Sequence, residues 1–123
     1  MELKPELYKA ALFLSSKWNG DPAPLIQART PIYLFTAEHD SYYGSDPVRR
    51  NYQYIHDLYV QNGLSEEEIT DLLVMDIRTD SELDVLRSDH TAEIGTAYAI
   101  GYHAAGMLAA FDKNVMNWVF RHP

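Results

Sequence analysis

An α/β fold built on a short parallel sheet is predicted by three features of the sequence. Three short apolar runs, Ala10-Ala11-Leu12-Phe13-Leu14, Ile32-Tyr33-Leu34-Phe35 and Leu72-Leu73-Val74-Met75-Asp76-Ile77, have the length and composition of buried strands. Helical or turn-rich segments separate them, which is the spacing that parallel strands need for their crossovers. The second run follows Pro31 and ends in the polar corner Thr36-Ala37-Glu38-His39-Asp40. Asp40 is therefore expected on the loop at the carboxyl end of a strand, where open α/β sheets place their chemistry.

The elements follow in chain order. Residues 1–9 are read as the end of a helix, with Pro5 near a turn. Residues 10–14 are read as the first strand, with a helix as the alternative. Residues 15–29 contain Asn19-Gly20-Asp21-Pro22 and Pro24, a loop signature. After the strand at 32–35, Ser41-Tyr42-Tyr43-Gly44 is read as a turn. Asp46-Pro47 looks like an N-cap with proline at the first helical position. Val48, Tyr52, Ile55 and Tyr59 recur at steps of four, three and four, a helical stripe that Gly63 is expected to end. Ser65 and Glu68 have the spacing of a capping box and start a short second helix.

The third strand follows at residues 72–77. Residues 78–93 are polar and charged and read as a surface loop. Residues 94–111 are rich in alanine and glycine and have no clear period. Residues 113–120 are expected to form a helix burying Val115, Met116, Val119 and Phe120. Tyr52, Tyr59 and Trp118 are read as core residues, and Glu66, Glu67 and Glu68 as a solvated helix start. No repeat or linker divides the chain, so residues 1–123 are read as one domain.

Composition narrows the function classes. A chain of 123 residues with 46% hydrophobic and 12% aromatic residues has the make-up of a folded domain. It is nevertheless small for a complete α/β enzyme. A net charge of −8 offers no basic stripe to neutralise phosphates, so nucleic acid and anionic membranes are not expected partners. The sequence holds no cysteine, which excludes disulfides and thiolate metal sites. His90 with Asp89 and Glu93 has no spacing specific to metal ligation, and no metal or cofactor is expected. The first residues lack an apolar signal core, and the stretch 97–110 is too short to span a bilayer. A soluble chain is expected, with cytoplasm favoured and a secreted parent left open.

On these residues the chain resembles the C-terminal half of the α/β-hydrolases, in the esterase and prolyl-oligopeptidase-like branch, close to the polyhydroxybutyrate-depolymerase-like esterases. Pro5-Glu6-Leu7-Tyr8-Lys9-Ala10-Ala11 is similar to the segment that follows the family's nucleophile helix. Pro31-Ile32-Tyr33-Leu34-Phe35 with Asp40 is similar to the strand and turn bearing the triad acid. Asp40-Ser41-Tyr42-Tyr43-Gly44-Ser45 matches that esterase branch more particularly. His103-Ala104-Ala105-Gly106 leads to Val115-Met116-Asn117-Trp118-Val119-Phe120. The family's catalytic histidine precedes a helix with a similar ending by about the interval of fifteen residues seen here between His103 and Trp118.

The resemblance implies a partial α/β-hydrolase fold of about three parallel strands flanked by helices. It assigns Asp40 as the triad acid, which would hold the imidazole tautomer, and His103 as the general base. His90 is the alternative base, on the polar stretch after the third strand, and Asp46 is a weaker candidate for the acid. Tyr42 and Tyr43 are read as lining the mouth of the site. His39, His56 and His122 are read as surface or packing residues. The family's G-x-S-x-G nucleophile elbow is absent: Ser15, Ser16, Ser41, Ser45, Ser65, Ser81 and Ser88 all lack its glycine frame.

Two functions are therefore expected. One is the C-terminal fragment of a serine hydrolase acting on small ester or acyl substrates, inactive alone because an upstream segment supplies the serine and oxyanion hole. The other is a non-catalytic hydrolase-derived module. A three-strand sheet leaves an edge and an apolar face to cover, so this alternative predicts a homo-oligomer or partner binding.

Overall fold

The computed structural model describes residues 10–14, 20–40, 43–89, 109 and 112–121. They form a three-stranded parallel sheet flanked by helices, an α/β arrangement. The strands are β1 (Ala11–Leu14), β2 (Ile32–Ala37) and β3 (Leu73–Arg78), in the spatial order β1-β2-β3. Ile32 lies beside Ala11 on one side and Leu73 on the other, and Phe35 lies between Leu14 and Asp76. The helices are α1 (Ala23–Gln27), α2 (Asp46–Gln61), α3 (Glu66–Leu72), α4 (Asp80–Asp89) and α5 (Lys113–Phe120). Among the described residues no helix is long and apolar enough to cross a membrane.

β2 is central and every one of its six residues is buried, which is why it reads as a continuous apolar run rather than an alternating one. Its side chains point alternately to two cores. Ile32 and Leu34 meet Ala11, Leu73, Leu25 and Ile26 of α1, Val48, Ile55 and Tyr59 of α2, and Ile69 of α3. Tyr33, Phe35 and Ala37 meet Leu83 of α4, Ala109, and Val115 and Trp118 of α5. Helices α1 to α3 thus cover one face and α4 and α5 the other. Both crossovers lie on one face because the chain steps in one direction along the sheet, from β1 to β2 to β3.

The helix ends explain the boundaries. Helix α2 ends in a Schellman motif: Gly63 N–H donates to the Val60 carbonyl at 3.0 Å and Leu64 N–H to the Tyr59 carbonyl at 3.1 Å. Gly63 takes the required left-handed conformation, with φ of 84°. Helix α1 ends the same way, with Arg29 N–H to Ile26 at 3.1 Å and Thr30 N–H to Leu25 at 2.9 Å. There the left-handed residue is Arg29, at φ of 52°, a position that costs a residue with a Cβ about 1 kcal/mol or more. The capping box at Ser65 and Glu68 is present with both reciprocal bonds at 3.2 Å.

Several expectations are corrected. Residues 15–29 are not all loop. Pro22 and Pro24 flank the start of α1, where a missing N–H costs nothing, and the Asp21 carboxylate accepts the Ala23 N–H at 2.9 Å. Residues 78–89 of the expected surface loop at 78–93 are not loop either, since β3 runs through Arg78 and α4 spans Asp80–Asp89. A second capping box, Thr79 with Glu82, starts that helix with bonds of 3.2 Å in each direction. Leu72 ends α3 and β3 begins one residue later. Ser45 rather than Asp46 is the N-cap residue of α2, and Pro47 is its second helical residue. Phe120 is 77% exposed while Trp118 is buried. Two residues span about 200° of helix, so Phe120 points away from the sheet that Trp118 faces. The expectations for residues 1–9, 90–93, 94–111 apart from Ala109, and His122 lie outside the described residues.

Arg29→Gly is expected to raise the unfolding free energy by about 1 kcal/mol by relieving the left-handed backbone. The loss of its exposed 3.5 Å contact to Glu68 matters little, as surface ion pairs are worth ~0–1 kcal/mol. Gly63→Ala should lower stability by about 1 kcal/mol for the converse reason. Urea titrations of the two variants check both signs.

Candidate functional site

The carboxyl ends of β2 and β3 meet where Glu38 N–H donates to the Arg78 carbonyl at 2.8 Å. Just past that bond the chain turns. Asp40 N–H donates to the Ala37 carbonyl at 3.3 Å, and the Asp40 carbonyl accepts Gly44 N–H at 3.1 Å. The Asp40 carboxylate accepts Tyr43 N–H at 2.8 Å, and the residue is 7% exposed. A side chain that closes its own turn is held in one rotamer. A carboxylate offers about four lone-pair sites on two oxygens, so a bond to one backbone N–H does not by itself bar an imidazole N–H. Tyr43 is half exposed on the same turn. His103, His90 and Tyr42 lie outside the described residues.

Beside this corner lies a polar network that the sequence reading did not single out. Arg78 grips Asp76 with two bonds, Nε to Oδ1 at 2.7 Å and Nη2 to Oδ2 at 2.9 Å. Its Nη1 reaches Asp112 Oδ2 at 2.7 Å. Tyr33 donates its hydroxyl to the same Asp76 Oδ2. The other oxygen of Asp112 accepts Asn114 and Val115 N–H at 2.9 and 3.0 Å and so caps α5. The guanidinium lies 5.3 Å from the centre of the Phe35 ring, and Tyr33 meets Trp118 edge-on at 5.1 Å. The three charged side chains are only 12–17% exposed.

The electrostatics follow from these contacts. The bonds to Asp76, then those to Asp112, raise the Arg78 pKa, so its charge is permanent. The Arg78 bond holds the Asp112 carboxyl below the usual range, against the opposing effect of burial. Burial first, and the bond to Asp76 second, raise the Tyr33 phenol well above its ordinary value. Tyr59, buried under α1 with its hydroxyl 3.3 Å from the Thr30 carbonyl, is pushed up to about 12 by desolvation. Both Asp76 oxygens and both Asp112 oxygens accept bonds within the network, which makes it a structural staple rather than a reacting centre. One signal in the sequence points to it: Asp76 and Arg78, two apart on a strand, share a face with Val74, and a carboxylate on a covered face needs a partner.

Two histidines read as surface residues are paired. His39, next to Asp40, places Nδ1 3.0 Å from Asp80 Oδ2 and so joins the acid's loop to the start of α4. His56 Nε2 lies 2.9 Å from Glu66 and joins α2 to α3. Each carboxylate raises the pKa of its histidine. Among the described residues no three His, Cys, Asp or Glu side chains cluster as metal ligands.

A cleft of about 330 Å³ is lined by Thr70, Asp71, Val74, Trp118 and Arg121. It sits by the amino end of β3, the end of the sheet opposite Asp40. In comparison with known proteins, no family model matches the chain, and no curated protein and no solved structure matches it.

Arg78→Met is expected to lower the unfolding free energy by about 3–5 kcal/mol, because it strands two carboxylates. In a double-mutant cycle with Asp76→Leu the coupling should reach ~0.5–3 kcal/mol. Equilibrium denaturation measures both. The pH dependence has two limbs. Asp112 has a lowered folded pKa, so its stabilisation is present above the unfolded value of 3.8 and fades as pH falls through the folded one. His39 and His56 have raised folded pKa values, so theirs is present below 6.5 and fades as pH rises through the folded values. Thermal melts should lose the upper limb in a His39→Gln/His56→Gln variant and keep the lower one.

Proposed function

We propose that the chain is the C-terminal part of a serine hydrolase of the α/β-hydrolase class, acting on carboxylic esters or small acyl substrates. The observation that carries this reading is Asp40: a buried carboxylate, fixed by its own turn, directly after the central parallel strand. Open α/β sheets place their chemistry at that end, and hydrolases of this class order their triad as serine, acid, histidine along the chain. In this reading Asp40 accepts the Nδ1–H of a histidine further along the chain, fixes its tautomer and stabilises the imidazolium. His103 takes the proton of the attacking serine and later delivers it to the leaving group, with His90 as the alternative base. The serine and the oxyanion hole come from an upstream segment, and Tyr43 lines the mouth of the site. The chain by itself is then inactive.

A second reading has an observation of its own. Among the described residues β1 and β3 each pair on one side only, and Val85 of α4 and Phe120 of α5 are 62% and 77% exposed. A non-catalytic module would cover such surfaces with a second copy of itself.

The test joins the chain to the coding sequence upstream of it and assays p-nitrophenyl butyrate hydrolysis. Activity is expected from the longer protein and not from this chain. Asp40→Asn should reduce kcat by about 10⁴-fold, and His103→Ala by at least 10³-fold. Activity that survives His103→Ala but not His90→Ala would move the base to His90. Activity indifferent to Asp40 overturns the triad. Light scattering separates the second reading, which requires a dimer unaffected by Asp40→Asn; a monomer sinks it.

A further inference from the structure

The cleft at the amino end of β3 brings together chemistry that the hydrolase reading does not use. It forms where the end of α3, the start of β3 and the end of α5 meet. Asp71 and Arg121, both exposed, bring opposite charges to its lining. Their side chains pair neither with each other nor, among the described residues, with any other group. Elsewhere in this acidic chain Arg29 and Arg78 are each engaged by a carboxylate. The cleft thus holds two opposite charges that leave each other unneutralised.

The remaining walls narrow the ligand. Trp118 is 4% exposed and braced edge-on by Tyr33, so the small part of it that lines the cleft is apolar and rigidly held. Val74 adds an aliphatic one. Thr70 already donates its hydroxyl to the Glu66 carbonyl at 2.8 Å, which leaves that oxygen as an acceptor. The volume of about 330 Å³ lies at the small end of the range for small-molecule sites, ~300–1,000 Å³.

We infer that this cleft binds a small zwitterion of the α-amino acid class, its carboxylate on Arg121, its ammonium on Asp71 and Thr70, and its apolar side chain against Val74 and Trp118. The selection is electrostatic. A simple anion drawn to Arg121 is repelled by Asp71, and a simple cation meets the reverse, whereas a zwitterion satisfies both at once. A polyphosphate is disfavoured because the cleft offers one cation beside a carboxylate. A divalent metal is disfavoured because it offers only one carboxylate. The inference stands apart from the hydrolase reading, since Asp40 lies at the other end of the sheet.

The experiment is a titration of the ¹⁵N-labelled chain with L-phenylalanine, followed at the Trp118 indole N–H and the Asp71, Val74 and Arg121 amides. Saturable shifts confined to those signals are expected. 3-Phenylpropionate, which lacks the ammonium, and 2-phenylethylamine, which lacks the carboxylate, should each bind about tenfold more weakly, as loss of a charge-assisted bond implies. Asp71→Asn and Arg121→Gln should each weaken phenylalanine about tenfold. Both sites are exposed, so the variants should keep the parent's amide spectrum; if either does not, the three ligands on the unaltered chain decide. No saturable shift up to the solubility limit of phenylalanine overturns the inference. Equal affinity for the singly charged analogues overturns it too.

Discussion

The bidentate grip of Arg78 on Asp76, with Asp112 as its third anchor, is the constraint on which the second face of the sheet depends. A guanidinium 12% exposed would be costly without partners. Here its planar fork meets one carboxylate in two bonds and a second in one, all at 2.7–2.9 Å. Asp112 is also the N-cap of α5, so one carboxylate both pairs with Arg78 at the end of β3 and sets where α5 begins. With α5 placed, Val115 and Trp118 come to lie on the sheet beside Tyr33 and Phe35. Tyr33 closes the loop by bonding Asp76 from the neighbouring strand.

The two faces of the sheet are held by different means. Helices α1 to α3 rest on an apolar core of aliphatic side chains with Tyr59 at its centre, where burial at about 25 cal/mol per Å² supplies the attraction without direction. The opposite face combines, among the described residues, a smaller apolar cluster with the ion network. Burial favours contact there, and the network decides register, since a guanidinium fork fits its carboxylates in one geometry only. The histidine pairs at Asp80 and Glu66 belong to a weaker class, with exposed partners that solvent screens. They orient helix ends and contribute little to the fold.

The same division of labour sets the two ends of the sheet apart. At the carboxyl end, turn geometry converges on Asp40, whose carboxylate is fixed before any ligand arrives. At the amino end, side chains from three elements frame a cleft and keep their charges unspent. The first arrangement is the kind of preorganisation on which the proposed catalytic reading rests; the second is the charge complementarity on which the proposed recognition rests.

The sequence by itself determined the three strands, the long helix and its glycine stop, and the capping box at Ser65, because each rests on periodicity or on hydrogen bonds within a few residues. It also carried the Thr79 and Glu82 cap, a legible signal outweighed by the charged composition of residues 78–93. Asp40 was legible for the same local reason, as a polar residue just past a buried run. Only the tertiary structure decided which charges are partners. Arg78 and Asp112 are 34 residues apart and Tyr33 and Asp76 are 43, and nothing along the chain connects them until the crossovers lay β3 beside β2 and α5 across both. The choice of Trp118 over Phe120 for the core was settled in the same way. Two large aromatics on one short helix have similar appetite for burial, and the sheet admits only the side that Asp112 turns toward it.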